Sequence, residues 1–168
     1  ATVAHGLSAV PKLILVKVHT SSTAYDWRLY HGSLGATKNM IFNDNSAVAT
    51  ATNKWNDTAP TSSVFSLGDT SGTNESGSGI IAYSFAEKQG YSKFGSYTGN
   101  NNADGPFVYT GFRPAWTILK RTDSTDNWIL QDNERKVPFN VVDSQLFPDL
   151  ENSESSSSAI LDYCSNGF

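Results

Sequence analysis

At 168 residues the chain suffices for one domain with a real hydrophobic core, or for two very small ones. Hydrophobic residues make up 38% and charged residues only 17%, with 12% aromatics and a remainder of Ser, Thr, Asn and Gly; this suits an all-β protein with long turns and not a helical bundle. The net charge of −4 comes without any Lys/Arg-rich segment, which excludes the footprint of a nucleic-acid binder, and no apolar run approaches the length needed for membrane insertion.

In chain order the predicted strands are LILVKV (13–18), WRLYH (27–31), KNMIFN (38–43), SVFSL (63–67), IIAYSFAE (80–87), KFGSYT (93–98), FVYTGF (107–112), AWTILKR (115–121), NWILQD (127–132) and AILDYC (159–164). All are short and rich in β-branched or aromatic residues. Turn-forming clusters separate them: SSTAYD, NDNSA, GTNESGSG, GNNNADGP, RTDSTDN and ENSESSSS. Residues 44–54 read as a short helix or a loop. Alternation puts Trp27 and Leu29 on one face of their strand, and Trp128 and Leu130 on one face of theirs, so both tryptophans are expected in the core.

Two stretches resemble each other. VPKLILVKVHTSSTAYDWRL (10–29) and RPAWTILKRTDSTDNWIL (113–130) share a proline, an apolar run ending in lysine, a Ser/Thr/Asp cluster and a tryptophan. Pro11 matches Pro114 and Lys17 matches Lys120 at an offset of 103, Trp27 matches Trp128 at 101, and Val3 and Phe42 match Val108 and Phe147 at 105. Phe65–Gly68 matches Cys164–Gly167 at 99. The order is kept and the offsets drift, as loop insertions cause, so the chain is expected to be an internally duplicated unit of roughly 100 residues. The first copy spans 1–87 and the second, incomplete, spans 88–168, in one β-sandwich domain or about one and a half units. With no initiator Met and no signal peptide, the sequence reads as a window excised from a longer chain. The single cysteine, Cys164, excludes an internal disulfide and favours a product assembled in the cytosol.

Segments 5–17, 27–38, 55–68, 83–128 and 165–168, above all FGSYTGN…DGPFVYTGFRPA, resemble a concanavalin-like (laminin-G/SPRY-like) module of marine tailed-phage tail-fibre and virion proteins. The resemblance implies an antiparallel jelly-roll-like β-sandwich and a virion or extracellular setting. It implies no catalytic residues.

The search for chemistry is mostly negative. There is no G-x-S-x-G elbow, since Gly77-Ser78-Gly79 sits in a flexible turn. His5, His19 and His31 form no metal-binding spacing, and His31 has Asp132 as its counterpart in the second copy. Glu87 and Glu134 are the glutamates best placed for a glycosidase, yet both read as strand-end residues. No cofactor is expected. The oxygen-rich turns DNSA (44–47), DSTDN (123–127) and NNNADG (100–105) leave calcium open, although none matches an EF-hand loop. Loop aromatics beside amides are the signature of sugar contact: Trp55, Asn56 and Asp57 in one loop, and Tyr97, Asn100, Asn101 and Asp104 in another. The competing reading is that Trp55 pins a long connection to the sheet.

The expectation is a non-enzymatic virion or tail-fibre module that binds host-surface glycan or acts as a structural spacer. Its partners would be that glycan, other virion proteins, or itself as a homo-oligomer. The alternatives are a lectin-like domain of a secreted cellular adhesin and a concanavalin-like glycan hydrolase or lyase.

Overall fold

A computed structural model describes residues 1–135, 140–156 and 161–168. The chain is nearly all β, and every strand pairing is antiparallel. Among the described residues the strands are β1 (Thr2–Ala4), β2 (Leu13–Val18), β3 (Arg28–His31), β4 (Lys38–Ile41), β5 (Ala49–Thr50), β6 (Val64–Ser66), β7 (Ile80–Phe85), β8 (Trp116–Leu119) and β9 (Ile129–Asp132). One turn of helix, α1 (Ser71–Asn74), falls in the turn GTNESGSG, and residues 44–54 form a loop holding β5 in place of the helix weighed there.

The strands form a five-stranded sheet in the order β5-β4-β3-β2-β7 and two-stranded sheets β1-β6 and β8-β9. Both faces of the large sheet are used. In β2 the period of two sends Ile14 and Val16 to one face and Leu13 and Leu15 to the other. The first face packs with Tyr30, Trp55, Phe65 and Leu67, and Val3 of β1 joins it. The second packs Leu29 and Met40 against Trp128 and Ile118 of the β8-β9 sheet.

The register of β8 on β9 repeats that of β2 on β3. Leu13↔His31, Ile14↔Tyr30, Leu15↔Leu29 and Val16↔Arg28 become Trp116↔Asp132, Thr117↔Gln131, Ile118↔Leu130 and Leu119↔Ile129, at offsets of 103 and 101. The next strand follows: Leu29 opposes Met40, and Leu130 opposes Leu146. Lys17 donates to the Tyr25 carbonyl, and Lys120 to those of Asn45 and Arg121.

Val3 opposes Phe65, and Val108 exchanges hydrogen bonds of 2.7 and 3.1 Å with Phe168. The His5 amide donates to Ser63, and the Thr110 amide to Asn166. Residues 166–168 thus pair with 108–110 much as 63–65 pair with 3–5.

Three predicted strands differ. Residues 93–98 form none, 107–112 form no strand but meet 166–168 through the bridge Tyr109↔Gly167 and the hydrogen bonds beside it, and of 159–164 Leu161 pairs alone with Val142 and Cys164 with Gly167. Residues 159 and 160 lie outside the described residues. Trp128 is buried as expected, whereas Trp27 is only half-buried, because its ring lies over the edge strand β7 and stacks on Tyr83 at 6.0 Å.

Candidate functional site

The connection from β5 to β6 is anchored by Trp55. Its ring is 1% exposed and meets Tyr30 edge-on at 5.7 Å, so Trp55 belongs to the core and offers no face to a sugar. This corrects its reading as a ligand platform, because a large aromatic in a polar loop gains more by burial than by exposure. Fixing the ring turns the next two residues outward. Asn56 and Asp57 adopt left-handed backbone angles, φ 54° and 44°, which Asn and Asp tolerate better than other side chains. The Asp57 amide donates to the Thr52 carbonyl at 2.8 Å and closes the turn.

Asn56 and Asp57 form one wall of an open polar cleft of about 630 Å³. Asn53 shares that wall, and Gly68, Asp69 and Asn74 form the other. The walls touch at the back, where the Gly68 amide donates to the Lys54 carbonyl at 3.0 Å and a Cβ on Gly68 would lie 1.9 Å from the Asn53 carbonyl oxygen. Asn74 donates to the Gly68 carbonyl at 2.8 Å, which holds α1 against the same strand end. Amides and carboxylates facing an open space match the donors and acceptors of a polyhydroxylated ligand.

The second predicted loop lies outside this cleft. Tyr97 is half-exposed and rests edge-on against Phe168 at 6.1 Å. Asn100 donates to the Asp104 carbonyl at 2.9 Å and accepts from the Asn102 amide, so its side chain is engaged in shaping the loop. Asn101 and Asp104 are exposed, Asn101 with φ 53°. The two loops are not brought to one site.

Sequence reasoning weighed His31 and Glu87 separately, and the structure brings them together. Pairing of Leu13 with both His31 and Phe85 sets the end of β3 beside the end of β7. A second cleft of about 240 Å³ opens there, lined by Lys12, His31, Ser33, Glu87, Lys93 and Phe94. The Glu87 carboxylate accepts the Phe94 amide at 3.0 Å and the Lys93 ammonium at 3.3 Å. Burial lifts the Glu87 carboxyl, but these two groups and Lys12 outweigh it and take the pKa below its ordinary value. Burial lowers the His31 imidazole, Glu87 only partly opposing, and its Nδ1 accepts the Ser33 amide at 3.2 Å. The signal for this cleft is the long-range β2–β7 register, which no local pattern carries.

The remaining candidates have local roles. His5 accepts the Leu7 amide and lies 3.1 Å from the Thr61 carbonyl, in a turn. Ser78 donates to Glu75 at 2.6 Å within its turn, and Glu134 is exposed. Asp123 pairs with Arg121 at 2.7 Å, and Cys164 is exposed. Among the described residues no group of three or more His, Cys, Asp or Glu is arranged to hold a metal ion, and no helix is long and apolar enough to cross a membrane.

An all-β protein of antiparallel sheets with open polar clefts is the class these features define. Its family is a domain family of unknown function, DUF7483, to which the chain belongs over residues 1–168. No curated protein and no solved structure matches it.

Proposed function

We propose that the chain is a non-enzymatic, glycan-binding module of an extracellular fibre or virion surface, built by internal duplication into a concanavalin-like, jelly-roll-like sandwich. The observation that carries the binding reading is the open cleft lined by Asn53, Asn56, Asp57, Asp69 and Asn74. Supporting the duplication is the repeated hairpin register of β2-β3 and β8-β9. A shallow polar cleft gives weak single-site affinity, of order millimolar, worth about 4 kcal/mol. Repetition on a rigid body raises it through effective concentration, by roughly two to four orders of magnitude.

Asp57 and Asp69 both line the cleft, and a hydrolase reading would rest on that pair. One experiment separates the two. Host-surface polysaccharides are screened on a glycan array with the unaltered chain, Asn56→Ala and Asp57→Asn, and the same polysaccharides are then incubated with the protein and sized. Binding that both substitutions weaken, without chain shortening, is the expected outcome. Shortening that Asp57→Asn abolishes promotes the hydrolase; no retained glycan leaves the module a structural spacer.

A further inference from the structure

The cleft between the ends of β3 and β7 is firmly built. Lys12 is held on both sides: its amide donates to the Phe85 carbonyl at 2.8 Å, and its carbonyl accepts the Gly32 amide at 2.7 Å. A Cβ on Gly32 would lie 3.2 Å from Lys12 Cδ, so the lysine stem runs close over that glycine. Beyond β7 a tight turn returns the chain. The Ser92 amide donates to the Lys88 carbonyl at 2.9 Å, and the Lys88 amide to that of Ser92 at 3.2 Å. This brings Lys93 and Phe94 back against Glu87, with the Phe94 ring 6.4 Å from that of Phe85. All these residues fall between 12 and 94, within one continuous stretch of chain.

The charges in the cleft do not cancel. It holds two ammoniums, Lys12 and Lys93, and one carboxylate, Glu87. Burial keeps His31 neutral at pH 7, so one positive charge is left over on a chain whose net charge is −4. Lys93 pairs with Glu87, whereas Lys12 makes no hydrogen bond or ion pair among the described residues. Because His31 Nδ1 accepts the Ser33 amide, the ring proton sits on Nε2, a donor without a partner among the described residues. The place that matches His31 in the β8-β9 register is satisfied from within. There Asp132 pairs with Arg135 at 2.7 Å and accepts the amides of Glu134 and Arg135 at 3.0 and 3.1 Å.

We propose that this cleft binds an acidic sugar, a uronate residue, with Lys12 and Lys93 holding its carboxylate, Glu87 accepting a ring hydroxyl and Phe94 lying against its C–H groups. One net positive charge matches the single charge of a carboxylate, and Glu87 repels the second charge of a phosphate. The volume of about 240 Å³ lies below the range of about 300–1,000 Å³ that takes drug-sized ligands, and it suits a single sugar ring. The proposal does not depend on glycan binding by the Asn56–Asp57 cleft.

The test titrates sodium glucuronate, glucose and inorganic phosphate, each alone, into the isotope-labelled chain and follows the amide NMR shifts. Glucuronate should move the amides of Gly32, Ser33 and Phe94 and bind at least about tenfold more tightly than glucose or phosphate. Lys12→Met and Lys93→Met keep the aliphatic stems and remove the charge, and each should weaken glucuronate at least about tenfold. Lys38→Met takes an equal charge from β4 and should leave binding unchanged. Glu87→Gln should narrow the preference for glucuronate over phosphate. The spectra of the free variants report whether each keeps the fold, and the two lysine changes are independent of one another. Glucuronate bound no better than glucose, phosphate bound more tightly, shifts confined to Asp57 and Gly68, affinity that survives both lysine changes, or a preference that Glu87→Gln leaves unchanged would each overturn the proposal.

Discussion

Trp128 donates its indole N–H to the carbonyl of Ile41 at 2.9 Å, a bond spanning 87 positions of sequence. It fastens the start of β9 to the end of β4, and Phe42 packs edge-on against the same ring at 5.2 Å. Trp128→Ala removes the largest ring in the contact between the β8-β9 sheet and the five-stranded sheet and leaves the Ile41 carbonyl without its donor. The expected cost is about 3–5 kcal/mol in urea unfolding. Trp128→Phe, which keeps most of the volume, should cost distinctly less. A loss below about 1 kcal/mol for the Ala variant would mean that this contact does not hold the layers.

Tyr163 plays the corresponding part on the far side of β8-β9. Its buried hydroxyl donates to the Gln131 carbonyl at 2.9 Å and accepts from Thr117 Oγ1 at 2.9 Å. Burial pushes the phenol above its ordinary pKa. Tyr163→Phe keeps the ring and deletes both bonds, for an expected loss of about 1–3 kcal/mol by thermal or urea unfolding. Indistinguishable midpoints would show that the two partners find other hydrogen bonds.

His31 makes stability fall in mild acid. Burial lowers its folded-state pKa below 6.5, so folding favours the neutral ring. That contribution is complete above the unfolded value of about 6.5 and is lost as pH drops through the lower folded value. Protonation also costs the Nδ1 lone pair that accepts the Ser33 amide. Glu87 opposes the shift, and the Lys12 and Lys93 ammoniums share the cleft. Melting temperatures between pH 5 and 8 should show a decline below 6.5 that His31→Asn removes. The same decline in both proteins would assign it elsewhere.

Gly68 allows the two walls of the polar cleft to touch. A Cβ there would sit 1.9 Å from the Asn53 carbonyl oxygen, a backbone atom that cannot swing aside. Gly68→Ala should cost about 1–3 kcal/mol and weaken any ligand of the cleft. Gly95→Ala is the control: nothing lies within 4 Å of its Cβ, and the change should stay within about 0.5 kcal/mol. Equal effects at the two positions would remove Gly68 from the cleft's architecture.

Local pairings were the legible part of this fold. β2-β3 and β8-β9 follow from period-two alternation between turn clusters, and their likeness was visible as shared Pro, Lys and Trp positions. The pairings β1-β6 and β2-β7 join residues sixty or more positions apart, and nothing local encodes them. The second cleft was hidden for that reason, since His31 meets Glu87 only through β7. KFGSYT has the aromatic content of a strand but pairs with no strand among the described residues, which β-propensity alone does not report. Trp55 was left between two readings because a tryptophan among Asn and Asp looks the same in sequence whether it is turned outward to meet a sugar or turned inward to hold the loop, and its burial favours the second. Asn56 and Asp57 line the polar cleft, and left-handed turns and polar clefts draw on the same residue types.

The shared register of the β2-β3 and β8-β9 hairpins also sets a problem in time. β7 lies in sequence between two hairpins that present the same edge, so during folding one strand has two acceptors. Order of emergence during synthesis favours one of them: β2-β3 is complete before β7 leaves the ribosome, and β8 is not yet made. Refolding the whole chain from denaturant removes that head start, and a fraction captured on β8 should then have to let go before it reaches the native pairing; refolding in a single fast phase would exclude such a fraction. The protein's fidelity in folding thus rests in part on the direction in which it is read.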